Sequence, residues 1–199
     1  MDEHNRGSDF MYKPSLRDRW VKPFFIINSV YLMTFFVTMN GLLPLQSQFT
    51  PNLASYASLL FLPHGVRVLS AWLYGWRAII LIAPSALFTH FLNFGGDGFE
   101  LDGLLGAFSG VTCAALTFWL LSLAGLDFRL SKQKTANWRD LMIAGSVASI
   151  FNTYGMGLAF DHNLATLSGY LIGDITGLFA CMFVLMLIFK LERQFGNPI

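Results

Sequence analysis

The chain has 199 residues, 54% of them apolar and only 13% charged, with a formal net charge of +1. Soluble domains carry about 25% charged residues, so a water-surrounded core is excluded. The near-neutral balance gives no footing for a nucleic-acid partner. The two cysteines, Cys113 and Cys181, both fall in apolar segments and provide no disulfide framework.

The first 22 residues are polar and contain Arg6, Lys13, Arg17, Arg19 and Lys22. The apolar run that follows is as long as a full span, about 20 residues. It ends in Asn40-Gly41-Leu42-Leu43-Pro44 without a small-x-small cleavage site, so it reads as an uncleaved helix rather than a removed signal. Helix 1 is expected near Pro23–Leu43 and helix 2 near Ala54–Tyr74. Helix 3 is expected near Trp76–Asn93, helix 4 near Gly103–Ala124, helix 5 near Leu141–Phe160 and helix 6 near Leu167–Leu191. The connections alternate in charge. The N-terminal tail, the turn with Arg77, the loop with Arg129, Lys132, Lys134 and Arg139, and the end with Lys190 and Arg193 are basic. The intervening segments 44–53, 94–102 and 161–166 contain no Lys or Arg. Every Lys and Arg except Arg67 thus falls on one side, the positive-inside pattern of six spans with both termini cytoplasmic. Trp20, Trp72, Trp76 and Trp138 fall near the same side, at headgroup depth. The expectation is an all-α, polytopic bundle of six transmembrane helices: a tail at 1–22, a membrane domain at 23–191 and a tail at 192–199.

Polar residues inside spans point to a site. Asp174 lies in helix 6, where a carboxylate costs about 2.5–3.5 kcal/mol on insertion scales and is expected to face the bundle interior with a partner. In helix 2, Leu62-Pro63-His64-Gly65-Val66-Arg67 combines a helix breaker, an imidazole and a cation. Pro63 and Gly65 weaken the helix and are expected to free carbonyls near Leu59 and Leu60. Freed backbone is tolerated at membrane depth only when buried in protein or lining a wet cavity. The bland alternative is a proline kink with a snorkelling arginine. Helix 3 adds Pro84, His90 and Asn93; helix 5 adds Asn152. At about 1.5 Å per residue, His64, His90, Asn152 and Asp174 share the outer half of the bilayer. Arg67 falls roughly 10 Å deeper than Asp174 by the same count, which makes His64 the better partner for Asp174. The candidate ligand-binding set is therefore His64, Arg67, His90, Asn152 and Asp174. Gly169, Gly173 and Gly177 form one stripe on helix 6, and Gly106 and Gly110 form another on helix 4; both suit close helix packing. With no paired histidine spacing on one helix, no Cys cluster, no nucleophile triad and no phosphate-binding glycine loop, no metal, cofactor or enzymatic chemistry is expected.

The run Phe61-Leu62-Pro63-His64-Gly65-Val66-Arg67-Val68-Leu69, then Leu73-Tyr74-Gly75-Trp76-Arg77, resembles the first type of bacterial membrane-associated sensor domain. That family carries a similar Pro-x-Gly element and a glycine-basic pair at the cytoplasmic turn. Its last helix has a Gly-Asp-x-x-Gly element, which Gly173-Asp174-Ile175-Thr176-Gly177 resembles. The resemblance covers helices 2, 3 and 6. It implies a bacterial inner-membrane bundle with an intramembrane site for a small-molecule ligand or a membrane-protein partner. Members of the family precede kinase or cyclic-dinucleotide output domains, and the sequence here shows none. The expectation is a stand-alone sensor-type domain. The alternatives are a substrate-binding transport component, since six helices in about 200 residues also resemble the vitamin-binding subunits of energy-coupling-factor transporters, or a non-catalytic assembly subunit.

Overall fold

A computed structural model of the protein describes residues 15–51, 57–130, 137–160 and 162–195. Six helices and no strand occur among them: α1 (Arg17–Ser47), α2 (Leu62–Tyr74), α3 (Arg77–Phe94), α4 (Leu101–Leu123), α5 (Trp138–Ala159) and α6 (Leu164–Phe195). All but α2 are long and apolar enough to cross a membrane. Their outer faces expose large apolar side chains such as Phe25, Met33, Ile80, Phe108, Ile150 and Phe179. That pattern belongs to a multi-pass membrane protein whose solvent is lipid. Both α1 and α6 run beyond their expected ends. Lys132, Lys134, most of the N-terminal tail and the final four residues lie outside the described residues.

Helix 2 is the main departure from the sequence reading. Its expected start, Ala54, lies outside the described residues, and residues 57–61 are not helical. The helix begins only at Leu62 and has 13 residues, about 20 Å of rise against a hydrocarbon core of about 30 Å. Pro63 explains the start. Inside a helix it would remove a hydrogen bond and clash with the preceding turn; in the first turn it does neither. Gly75, at φ 57°, ends α2 in a backbone conformation that a side chain would resist.

This short helix is the centre of the bundle, touching all five others. Val68 and His64 are fully buried in it, and Ala71 nearly so. The remaining helices surround it, with α1 on α3, α4 on α5 and α5 on α6. Glycines set the closest approaches. A Cβ on Gly155 of α5 would lie 1.9 Å from Ser109 Oγ of α4, and one on Gly145 would lie 2.0 Å from a Leu178 methyl of α6.

Pro84 interrupts α3, and α1 supplies the repair. Asn28 Nδ2 donates to Leu81 O (2.8 Å), and Ser85 N donates to Asn28 Oδ1 (3.1 Å). One amide side chain thus bridges the disturbed turn, where lipid has nothing to offer a freed backbone group.

Candidate functional site

In the non-helical segment 57–61, side chains replace the missing helical hydrogen bonds. Gln46 of α1 accepts from Leu59 N (2.7 Å) and donates to Ala57 O (3.0 Å). From the other side, Phe61 N donates to Gly173 O (2.9 Å), and Thr176 Oγ1 donates to Leu59 O. The Leu59 carbonyl expected to be free is therefore bonded. Cys181 Sγ lies 3.4 Å from Leu62 O.

The glycine stripe of α6 makes this docking possible. A Cβ on Gly173 would lie 2.0 Å from Ser58 O, and one on Gly177 would lie 2.1 Å from Phe61 O. Gly65 of α2 faces back, 2.6 Å from Cys181 Sγ by the same construction. The stripe thus receives both the non-helical backbone of Ser58 and Phe61 and the start of α2, where Gly65 faces Gly177. Gly169 is also buried. On α4, Gly106 lies under the Phe160 ring and Gly110 under the Arg67 guanidinium, so this stripe makes room for side chains.

Asp174 sits one residue past Gly173, 2% exposed. Its Oδ2 accepts from Asn152 Nδ2 (2.8 Å) and Ser149 Oγ (3.4 Å). His64 Nδ1 lies 3.3 Å from the same oxygen, at an angle short of a hydrogen bond. The other imidazole nitrogen, Nε2, lies 3.2 Å from Gly145 O. Three helices therefore converge on one carboxylate. The hydrogen bonds to the Asp174 carboxylate among the described residues all fall on Oδ2, and Asn152 Oδ1 is buried without a partner.

Arg67, one turn below His64, meets no carboxylate within ion-pair distance among the described residues. Its Nε (3.2 Å) and Nη2 (2.7 Å) both donate to the Tyr31 hydroxyl of α1. The guanidinium lies 5.6 Å from both the Tyr31 and Phe61 ring centres, within reach of the cation–π attraction. Nη1 makes no hydrogen bond among the described residues.

These groups border one cavity of about 380 Å³, to whose wall all six helices contribute. Arg67, Asp174, Asn152, His90, Tyr170 and His162 are its polar lining, while Phe35, Met39, Phe61, Phe94 and Met156 supply apolar wall. The volume lies within the range of small-molecule sites, about 300–1,000 Å³. At the end whose connections lack Lys and Arg, rings close over it. Phe94 stacks on Phe160 at 5.3 Å, His90 packs on Phe94 at 4.8 Å, and His162 lies 5.5 Å from Tyr170. His90 is tied to Gly98 O (3.0 Å) and His162 to the Tyr170 hydroxyl (3.2 Å).

Of the expected set, Arg67, His90, Asn152 and Asp174 line the cavity. His64 does not. It is fully buried behind Asp174, because α2 turns its ring toward α5 and Gly145. Although Arg67 is deeper along its helix, it shares the chamber with Asp174. Sequence reasoning missed Gln46, Tyr31, Tyr170 and His162. For Gln46 a signal existed, an amide in an apolar helix beside Pro44. A tyrosine in an apolar run carries no such flag. Among the described residues no three His, Cys, Asp or Glu side chains gather as a metal cluster.

Fold and site together define a polytopic helical membrane protein with a mainly apolar cavity, carrying a few polar groups, between its helices. The chain matches no family model, no curated protein and no solved structure.

Proposed function

We propose that this chain is a sensor-type membrane domain that takes up a small molecule in the central cavity, in a bacterial inner membrane with both termini cytoplasmic. One observation carries the reading: six helices border a cavity of ligand size whose wall includes both a guanidinium and a carboxylate, Arg67 and Asp174. Ionisable groups at membrane depth mark functional sites by default, and an apolar pocket with a few convergent polar groups is the usual form of a ligand site. The sensor reading is further supported by where the family-like elements lie. The Pro63-x-Gly65 element and the Gly173-Asp174-x-x-Gly177 element face each other across the break in helix 2.

Because all six helices contribute to the wall, an occupant could pass its binding energy to helix positions at the cytoplasmic ends. The test fills the cavity without removing a hydrogen bond. Ala107 lines it from α4, and Ala107→Phe places a ring inside. The parent and the variant are isolated in nanodiscs and their non-covalently bound small molecules measured by native mass spectrometry. The parent is expected to retain a bound molecule that the variant, melting normally, has lost. If folded parent and variant release the same molecules in the same amounts, the cavity is not the binding place and the proposal falls.

A further inference from the structure

From the unused hydrogen-bonding capacity of the cavity wall, we infer that the site is built for a small amphipathic zwitterion. The occupant carries an anionic, carboxylate-type group at one end, an ammonium-type donor at the other, and an apolar body between. This rests on the reading of the cavity as a ligand site.

The wall presents two opposite and incompletely satisfied ends. At the first, Arg67 spends Nε and Nη2 on a single phenol oxygen and leaves Nη1 without a hydrogen bond among the described residues. Gly110 keeps a side chain away from that nitrogen: a Cβ there would lie 3.1 Å from it. A guanidinium donates along a planar fork that matches a carboxylate in two bonds, and a neutral phenol cannot fill that role. At the second end the open capacity is of the opposite kind. Asn152 is 6% exposed, and its Oδ1 has no partner. Asp174 Oδ1 accepts nothing among the described residues, since Asn152, Ser149 and His64 all address Oδ2. Asp174 Oδ1, on a residue that lines the cavity, thus keeps its capacity for a donor, and an ammonium supplies one.

Charge balance selects a zwitterion over a simple ion. The wall holds one guanidinium and one carboxylate, and an occupant bearing a net charge would bring an unopposed ion into a low-dielectric chamber, which is costly. A zwitterion adds no net charge and pairs both ends. Between them, the rings of Phe35, Phe61 and Phe94 and the thioethers of Met39 and Met156 provide an apolar wall for its body. A volume of about 380 Å³ falls at the small end of ligand sites, about 300–1,000 Å³, and suits an amino-acid-sized molecule.

The experiment compares four probes on the full chain in nanodiscs by thermal unfolding. 6-Aminohexanoate and 4-(aminomethyl)benzoate carry the two charges at opposite ends of an apolar body, 3-phenylpropionate carries only the anion, and 2-phenylethylamine carries only the cation. The two zwitterions are expected to raise the melting temperature, by roughly 5–10 °C once the probe exceeds its dissociation constant a hundredfold. The singly charged probes should not. Arg67→Gln should abolish the shift. Should that variant fail to fold, Ala107→Phe, which blocks the chamber and leaves Arg67 in place, serves the same purpose. A shift of equal size with 3-phenylpropionate or 2-phenylethylamine would overturn the zwitterion assignment while leaving a ligand site. No shift with any of the four overturns it as well. The mass measurement on the parent and Ala107→Phe then reports separately whether the cavity holds a molecule of another class.

Discussion

Adding a single methyl group to α6 should separate the two kinds of glycine in this protein. In Gly173→Ala the new Cβ would be placed 2.0 Å from the Ser58 carbonyl oxygen, about 1 Å inside the closest separation such contacts tolerate. The neighbour is backbone, held by Gln46, Thr176 and the Phe61–Gly173 hydrogen bond, so it cannot swing aside as a side chain would. Overpacking of this kind costs about 1–3 kcal/mol, and loss of the Phe61 bond adds about 1 kcal/mol. The better helix propensity of alanine returns about 1 kcal/mol. The balance is a loss of about 1–3 kcal/mol, or roughly 2–12 °C of melting temperature for a chain of this size. Gly157→Ala is the control, because its Cβ would meet only Leu167 methyls at an ordinary 3.4 Å. There the propensity term stands alone, and the protein should melt slightly higher than the parent. Both are measured by thermal unfolding in nanodiscs. If Gly173→Ala melts as high as Gly157→Ala, the non-helical segment does not dock on α6 and the reasoning fails.

Other perturbations probe the same frame. Gln46→Leu should leave Leu59 N–H and Ala57 C=O without partners, at about 1–3 kcal/mol each, and melt well below the parent; an unchanged melting temperature would mean that water or lipid headgroups reach the segment. Asp174→Asn keeps an oxygen for Asn152 and removes a charge that costs about 2.5–3.5 kcal/mol in the membrane, so its melting temperature should stay near the parent's. Asp174→Leu strands the Asn152 amide and should fall below it by about 1–3 kcal/mol; equal melting of the two variants would contradict the polar set. Cysteine labelling in intact cells should report Gln48, Gly98 and Asn163 outside and Gln133 inside, and an outside reading at Gln133 would refute the six-span topology.

The five long spans were legible because lipid imposes a single requirement on their outer faces, and charge-free runs such as 104–124 meet it without reference to any neighbour. The nearness of Asp174 to His64 was legible from depth alone, since rise per residue fixes height in the bilayer. The shape of helix 2 was legible only in part. Pro63 and Gly65 announced a break, but whether the backbone before it remained helical depended on partners 13 and 117 positions away along the chain, Gln46 and Thr176. No local pattern encodes such partners. The facing of His64 was hidden for a similar reason. Helix spacing puts His64 and Arg67 on one face, yet the packing of α2 against five neighbours turns the imidazole toward Gly145 and the guanidinium into the chamber. The glycine stripe on α6 read as a helix–helix seam, and it does pack on the start of α2 while also receiving the non-helical backbone before it, because both need only a surface without side chains.

The central claim, that six helices enclose one chamber reachable by small polar molecules, is tested most directly by the reactivity of a thiol placed in its wall. Ala107 borders the cavity, whereas Ala144, on the neighbouring helix, is fully buried in the core. In a background with Cys113→Ala and Cys181→Ala, each position is changed to cysteine, and the nanodisc-embedded protein is treated with a small water-soluble methanethiosulfonate. The cysteine of Ala107→Cys should react to completion and that of Ala144→Cys should remain free until the protein is unfolded. Equal protection of both in the folded protein would contradict the chamber and the function built on it.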